Sequence, residues 1–162
     1  MDLRKGDLLP GQRISLDHYV NAVPEHLYSS IGSYQEKHMF HCGMIFSNHA
    51  IGYVLTRHQV NLSAGESLKP KLKYGRDATN CGVIVQSYHT HNGVFTSNQF
   101  VEVVIRQVYN IRFGGVGAAH QNGVPECSIK TVTYMDRTIM IHTTMSGPEG
   151  FITTQICHMA MD

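Results

Sequence analysis

The stretch between residues 87 and 130 constrains the fold of this chain more than any other. It opens at residues 87–95 with Ser-Tyr-His-Thr-His-Asn-Gly-Val-Phe and closes at residues 114–126 with Gly-Gly-Val-Gly-Ala-Ala-His-Gln-Asn-Gly-Val-Pro-Glu. Between these two blocks, residues 97–107 carry apolar side chains at helical spacing and residues 109–113 favour a strand. The order of elements predicts that His91 and Glu126 lie at the same end of a sheet, facing a glycine-rich loop.

The chain before this stretch is predicted to supply three strands and one helix. Strands are predicted at residues 13–20, 39–47 and 51–60, and the last two form a hairpin around a turn at residues 48–50. A loop, residues 23–37, joins the first strand to the second.

A helix is predicted at residues 63–78, with Ser63 as its N-cap and Glu66 completing a capping box. Pro70, Gly65 and Gly75 fall inside it, and an interior proline costs a helix roughly 3 kcal/mol. Either this helix is short and kinked, or tertiary packing overrides its local weakness.

The remaining elements follow from the central stretch itself. They are a buried strand at residues 83–88 ending at His89, a helix at 98–107 capped by Thr96 or Ser97, an edge strand at 110–113, and a helix from 122 to about 145. In the last helix, Val132, Met135, Ile139 and His142 are predicted to share one face, and Pro125 lies near its first position.

Composition limits the class of protein without identifying it. A chain of 162 residues with 42% hydrophobic residues and no long apolar run suits one α/β domain and no membrane partner. The formal net charge of +1 means that any nucleic-acid footprint is local, and the basic run at residues 69–76 is interpreted as a solvated helix face. Four widely spaced cysteines and no N-terminal signal sequence favour an intracellular location, nuclear or cytoplasmic.

The two blocks resemble the integrase catalytic core of Ty1/copia-type retroelements. In that family a Tyr-His-(Ser/Thr)-Asp-Asn-Gly-Val-Phe block precedes a Gly-Val-Gly-Ala-His-His-Gln-Asn-Gly-Val-Ala-Glu block, and the likeness extends from about residue 11 to residue 145. The resemblance implies an α/β, ribonuclease-H-like fold with a mixed five-stranded sheet of order 3-2-1-4-5 and helices on both faces. It divides the chain into a linker at residues 1–11, the catalytic core at 12–146 and a truncated C-terminal segment at 147–162.

The resemblance also implies metal-dependent processing of DNA ends and their transfer into target DNA. Such chemistry uses carboxylates to hold two Mg²⁺ or Mn²⁺ ions. Asp17 and Glu126 match two of the family's three catalytic carboxylates and are the expected metal ligands, whereas His91 stands in place of the third. A neutral imidazole brings one nitrogen and no charge, so we expect weakened metal binding, impaired chemistry and a degenerate or truncated copy of the enzyme.

On the same basis, DNA is the expected partner, as element ends and as target, together with further copies of the chain. Lys130 lies one helical turn beyond Glu126 and faces the same way. The residues expected to line the DNA side are Asn92, His120, Gln121, Asn122 and Lys130.

Two other functions stay open. The first is a non-catalytic nucleic-acid-binding remnant of an integrase. The second is a His-rich metal-binding domain, since the chain has 11 histidines and a His38-x-x-His41-Cys42 segment, although adjacent His41 and Cys42 on a strand point to opposite faces. A dinucleotide site is excluded at Gly115-x-Gly117, because His120 occupies the place of the third glycine.

Overall fold

The computed structural model describes residues 7–25, 39–107, 110–115 and 123–142. Within them are five strands and three α-helices, with a 3₁₀ turn, Val94–Thr96, just before the second helix. Their bounds are β1 Ile14–Glu25, β2 Phe40–Asn48, β3 Val54–Gln59, α1 Ala64–Asn80, β4 Ser87–Thr90, α2 Asn98–Arg106, β5 Asn110–Phe113 and α3 Gly123–His142.

The five strands form one mixed sheet in the order β3-β2-β1-β4-β5. β1 pairs antiparallel with β2, and β2 with β3, whereas β1–β4 and β4–β5 are parallel. The short turn after β2 allows the antiparallel hairpin, while parallel neighbours need a crossover, which α2 supplies between β4 and β5. The predicted strand order and mixed sheet are confirmed.

The two faces of the sheet bury different helices. Leu16 of β1 lies opposite Phe46 of β2, and both side chains face α1 and α2 in the main core. The next residue of β2, Ser47, points to the other face, where its hydroxyl donates to the Oγ of Ser128 in α3 at 3.0 Å. Helices therefore cover both faces, as predicted.

The main core lies between the sheet and the α1–α2 pair. Burying each of its larger side chains contributes roughly 1.5–3 kcal/mol. Its members are Ile14, Leu16, Met44, Phe46, Leu55, Leu68, Tyr74, Val85, Tyr88, Phe95, Phe100 and Val104.

Tertiary packing decides the length of α1. The helix continues through Pro70 and Gly75, both of which are buried, and Tyr74 stacks on Phe46 with ring centroids 4.4 Å apart. Of the two alternatives left by the sequence, the long helix stabilised by packing is the one observed.

The N-terminus of α1 is capped in a modified way. The Oγ of Ser63 accepts the backbone N–H of Glu66 at 3.3 Å, as predicted. The reciprocal bond to the N–H of Ser63 comes from Asn61 Oδ1 at 2.9 Å, while the Glu66 carboxylate pairs with Lys69. In this capping box Asn61, and not the predicted Glu66, accepts the backbone N–H of Ser63.

The end of β1 and the start of β4 differ most from the predicted strand boundaries. β1 runs on to Glu25, so residues 23–25 belong to a strand and not to the predicted loop. β4 begins at Ser87 and not at residue 83, because the preceding residues have other partners. The N–H of Val83 closes the end of α1 on the Ala78 carbonyl at 2.9 Å, and the N–H of Gln86 donates to the Gly11 carbonyl at 2.8 Å.

The buried face of α3 also differs from the predicted one. Val132 is buried as expected, but Met135 is 48% exposed and Asp136 is buried in its place. Pro125 is the third residue of the helix, still in the first turn, where no backbone N–H is needed. The side chains of Ile139 and His142, like the predicted C-terminal segment at residues 147–162, lie outside the described residues. No helix in the described part of the chain is long and apolar enough to cross a membrane.

Candidate functional site

The sheet brings Asp17 and His91 side by side. β1 and β4 are parallel neighbours, and Leu16 of β1 is paired with Thr90 of β4. Asp17 directly follows Leu16, and His91 directly follows Thr90. His91 Nδ1 lies 3.1 Å from Asp17 Oδ1, with the Asp17 side chain 13% exposed and that of His91 48% exposed. The same Asp17 oxygen accepts the backbone N–H of His18 at 2.8 Å. One carboxylate oxygen is therefore already contacted by two groups of the protein.

Phe95 forms the wall of this site. It is fully buried, and its ring stacks on that of His18 with centroids 4.4 Å apart and planes within 5°. The His91 ring meets Phe95 edge to face at 5.5 Å and 88°. Phe95 is brought there by the 3₁₀ turn after Gly93, whose φ of 102° suits a residue without a side chain. Phe95 thus contacts both histidines of the site at once.

A buried polar chain fixes the other end of His18. Its Nε2 lies 3.1 Å from the hydroxyl of Ser67, and that hydroxyl accepts the Gln59 side-chain N–H at 3.2 Å. The Ser67 proton is then free to be donated to His18 Nε2, which requires a neutral imidazole. Burial, together with a smaller electrostatic contribution from His91, lowers the pKa of His18 to about 4, which agrees with that neutral form.

Sequence reasoning missed Phe95, His18 and Ser67 as parts of the site. Phe95 stands inside the first of the two blocks and His18 directly follows Asp17, so their positions were a usable signal. Ser67 lies on α1, 49 positions from His18, and only the folded chain brings the two together.

Glu126 and Lys130 occupy the first two turns of α3 and are both exposed. Among the residues that the structure describes, no three His, Cys, Asp or Glu side chains lie close enough together to hold one metal ion. The structure therefore groups Asp17 with His91 and does not add Glu126 to that group. Their predicted catalytic roles stay predictions.

The other predicted site residues are placed only in part. Asn92 is described and is exposed, immediately after His91. His120, Gln121 and Asn122 lie outside the described residues, as does most of the glycine-rich loop.

The described donor set does not fit a pair of Mg²⁺ ions. Mg²⁺ takes oxygen ligands in near-octahedral geometry, and two-metal sites need a bridging carboxylate. Asp17 is the one carboxylate in the described pair, and its Oδ1 is in contact with His91. The second ligand is an imidazole, which offers a single nitrogen and suits Zn²⁺ or Mn²⁺ better.

The His41–Cys42 segment does not converge on a metal either. His41 is exposed, whereas Cys42 is buried with its thiol directed to the Gln59 carbonyl at 3.6 Å. The two side chains therefore lie on opposite faces of β2, as the strand geometry predicts, and His38 lies outside the described residues.

Neither a protein-family model nor a curated protein sequence matches this chain. Solved structures do match. The HTLV-2 integrase catalytic core domain in complex with magnesium, a trimeric form, is similar with a TM-score of 0.63 and 15% identity, covering 95% of this chain and 84% of that one. A chain of the simian T-cell lymphotropic virus intasome in complex with PP2A regulatory subunit B56 gamma gives 0.68 and 12%, covering 96% of this chain and 50% of that one. At these identities the likeness concerns the fold, and the chain has the ribonuclease-H-like fold of a retroviral-type integrase catalytic core.

Proposed function

We propose that residues 12–146 are the catalytic core of a Ty1/copia-type integrase that acts on element DNA ends and target DNA, with its metal-dependent chemistry impaired by His91. The fold supports the assignment to an integrase catalytic core, because two integrase structures align with nearly the whole chain. The copy is degenerate in this proposal, and it works inside the cell, in the nucleus or cytoplasm, with DNA and further copies of itself as partners.

The observation that carries the proposal is the position of the Asp17–His91 pair. After β1 the chain continues to β2, towards one edge of the sheet, and after β4 it continues to β5, towards the other edge, so the switch point of the topology lies between β1 and β4. Ligands of open α/β sheets bind in the crevice at such a point, beyond the carboxyl ends of the strands. His91 directly follows the carboxyl end of β4, and Asp17 is level with it on β1.

The residues at this point support the proposed impairment of the chemistry. A bound Mg²⁺ or Mn²⁺ ion would supply the charge that stabilises the attacking and leaving oxygens of a phosphodiester. The Asp17 carboxylate is oriented by the His18 backbone N–H and is contacted by His91. The neighbouring position directly after β4 therefore carries an imidazole where a second carboxylate would be needed. Glu126 and Lys130 lie on the exposed side of α3, and we propose that they approach the site with Asn92, His120, Gln121 and Asn122 when DNA is bound.

The test is DNA end cleavage and strand transfer with Mg²⁺ and with Mn²⁺, comparing the native chain with His91→Asp. Glu126→Gln and Asp17→Asn are introduced into both backgrounds as controls. Activity in His91→Asp alone, lost on adding either control, supports the proposal. Activity of the native chain that Glu126→Gln abolishes would show that His91 does not impair the site.

The second candidate is a nucleic-acid-binding remnant without catalysis. It is favoured by two observations: Asp17 is paired with an imidazole, and no three-residue ligand group exists among the described residues. If the native chain binds DNA but neither it nor His91→Asp cleaves DNA, this second function is selected. Tight zinc binding that is insensitive to Asp17→Asn would instead select the His-rich metal-binding domain.

A further inference from the structure

The basic run of α1 separates into one buried and three exposed side chains. Lys71 is fully buried, with its ammonium 5.7 Å from the centre of the Tyr88 ring and donating to Gln107 Oε1. Lys69, Lys73 and Arg76 are exposed. Residues 69–76 thus contain four basic side chains, of which three lie on the exposed side of the helix.

Those three residues form a basic stripe along the outer surface of α1. Spacings of four and three residues place Lys69, Lys73 and Arg76 within about 60° of arc and over about 10 Å of helix length. The opposite side of the helix carries its buried residues, including Ser67 and Tyr74. The stripe therefore faces away from the sheet.

Part of the positive charge of the basic stripe has no acidic neighbour to offset it. Lys69 pairs with Glu66, and the nearby Asp77 is engaged by Arg57 of β3 at 3.2 Å. Within the described part of the chain, Lys73 and Arg76 have no carboxylate within ion-pair distance. Because the formal net charge of the whole chain is only +1, this charge is a local feature and not a consequence of a basic protein.

The basic stripe begins at the end of α1 that contacts the candidate site. Ser67, in the first turn of α1, contacts His18, and the backbone of His18 binds the Asp17 carboxylate. Lys69 follows Ser67 by two residues, about 3 Å further along the helix axis and on the outer side of α1, so the stripe runs from this end of the helix towards its C-terminus.

We propose that the basic stripe binds the phosphodiester backbone of a DNA duplex whose end lies at the Asp17–His91 pair. This inference rests on the proposed function, which brings DNA ends to that pair, and it adds a second contact surface outside it. One DNA strand rises 3.4 Å per nucleotide, so a stripe of about 10 Å faces roughly three successive steps of the backbone. The lysine and arginine side chains match that ligand by charge and read no sequence.

The test is the salt dependence of binding to a short blunt DNA duplex, measured by fluorescence anisotropy without divalent metal. Each phosphate contact contributes about 0.9 to the slope of log K against log salt concentration. The double variant Lys73→Gln/Arg76→Gln should therefore lower that slope by roughly 1.8 and weaken binding to all sequences alike. Both side chains are exposed, so its thermal midpoint should match that of the native chain.

Arg106→Gln is the matched control, since Arg106 is an exposed arginine whose charge is offset by Glu102 at 3.6 Å. It should leave the slope unchanged. An unchanged slope in the double variant, an equal loss in the control, or no binding of DNA by the native chain would overturn the inference. Failure of the proposed function is distinguishable, because strand transfer by His91→Asp is measured separately and can be absent while the slope still falls.

Discussion

His91 Nδ1 lies 3.1 Å from Asp17 Oδ1, and that same oxygen accepts the His18 backbone N–H at 2.8 Å. The carboxylate that a divalent ion would need is therefore already oriented by the protein. A second carboxylate at position 91 would bring two negative charges to the switch point of the sheet, where a cation relieves their repulsion.

We accordingly expect His91→Asp to gain affinity for Mn²⁺ and Mg²⁺ relative to the native chain. A ligand that binds only the folded state stabilises it by about 2.7 kcal/mol at a hundredfold excess over its Kd. Thermal unfolding with increasing Mn²⁺ should show a larger rise in midpoint for His91→Asp than for the native chain. His91→Asn has similar size without the charge, and a rise as large in that variant would contradict the explanation.

Gly43 gives room to the Tyr19 side chain across the β1–β2 pair. A Cβ at position 43 would lie 2.2 Å from the Tyr19 hydroxyl and 2.3 Å from Cζ, and that hydroxyl is 2.7 Å from His58 Nδ1. Gly43→Ala should therefore displace the ring and lower the free energy of unfolding by about 1–3 kcal/mol. Urea denaturation measures this loss.

If the Tyr19 ring is what excludes a side chain at position 43, substitutions at positions 19 and 43 are strongly coupled. In Tyr19→Ala/Gly43→Ala the new methyl group meets no ring, so the second substitution should cost much less than it does alone. Additive losses in the double variant would show that Gly43 is required for a reason other than contact with Tyr19.

Sequence analysis correctly placed the helices and strands that begin and end at turn or capping residues close by in the sequence. The β2–β3 hairpin, α2 and β5 all form where sequence analysis placed them, within a few residues, and Ser97 is the one of the two predicted caps that the structure uses. The length of α1 could not be predicted in the same way, because Pro70 and Gly75 argue locally against a helix and only their burial explains its continuation.

The strand order came from the resemblance to a family and not from periodicity. The candidate site shows the same division. Asp17 and His91 stand in recognisable motifs, whereas the contact of Ser67 with His18 and the stacking of Phe95 on that ring exist only after folding. Contacts across 49 positions leave no pattern in a single sequence.

The cap of α2 allows a test of a local contribution to stability. Ser97 Oγ accepts the Phe100 backbone N–H at 3.3 Å, while the hydroxyl of Thr96, the alternative cap, donates to the Gly93 carbonyl at 2.7 Å. Ser97→Ala should lower the free energy of unfolding by about 1 kcal/mol, because an N-terminal N–H loses its acceptor. Ser97→Asp keeps an acceptor and should retain most of the stability in the same urea titration. If both variants lose equally, capping is not the cause.

Lys71 should make the stability of the chain depend on pH in the alkaline range. Burial lowers the pKa of Lys71 to about 8 from its ordinary 10.5, so between these values the unfolded chain binds a proton that the folded chain does not. The contribution of this group to the free energy of unfolding therefore rises with pH from about 8 towards 10.5, and its cost is fully present below 8.

Lys71→Met keeps the length and apolar stem, so it should abolish that rise and stabilise the chain at pH 7 by roughly 1–3 kcal/mol. Urea midpoints between pH 8 and 10 are the relevant measurement, because burial raises the pKa of Tyr74 to about 12 and opposes the trend above that range. Lys73→Met, on the exposed side of the same helix, should leave the slope with pH unchanged, and a native chain whose stability is flat across this window would contradict the buried charge.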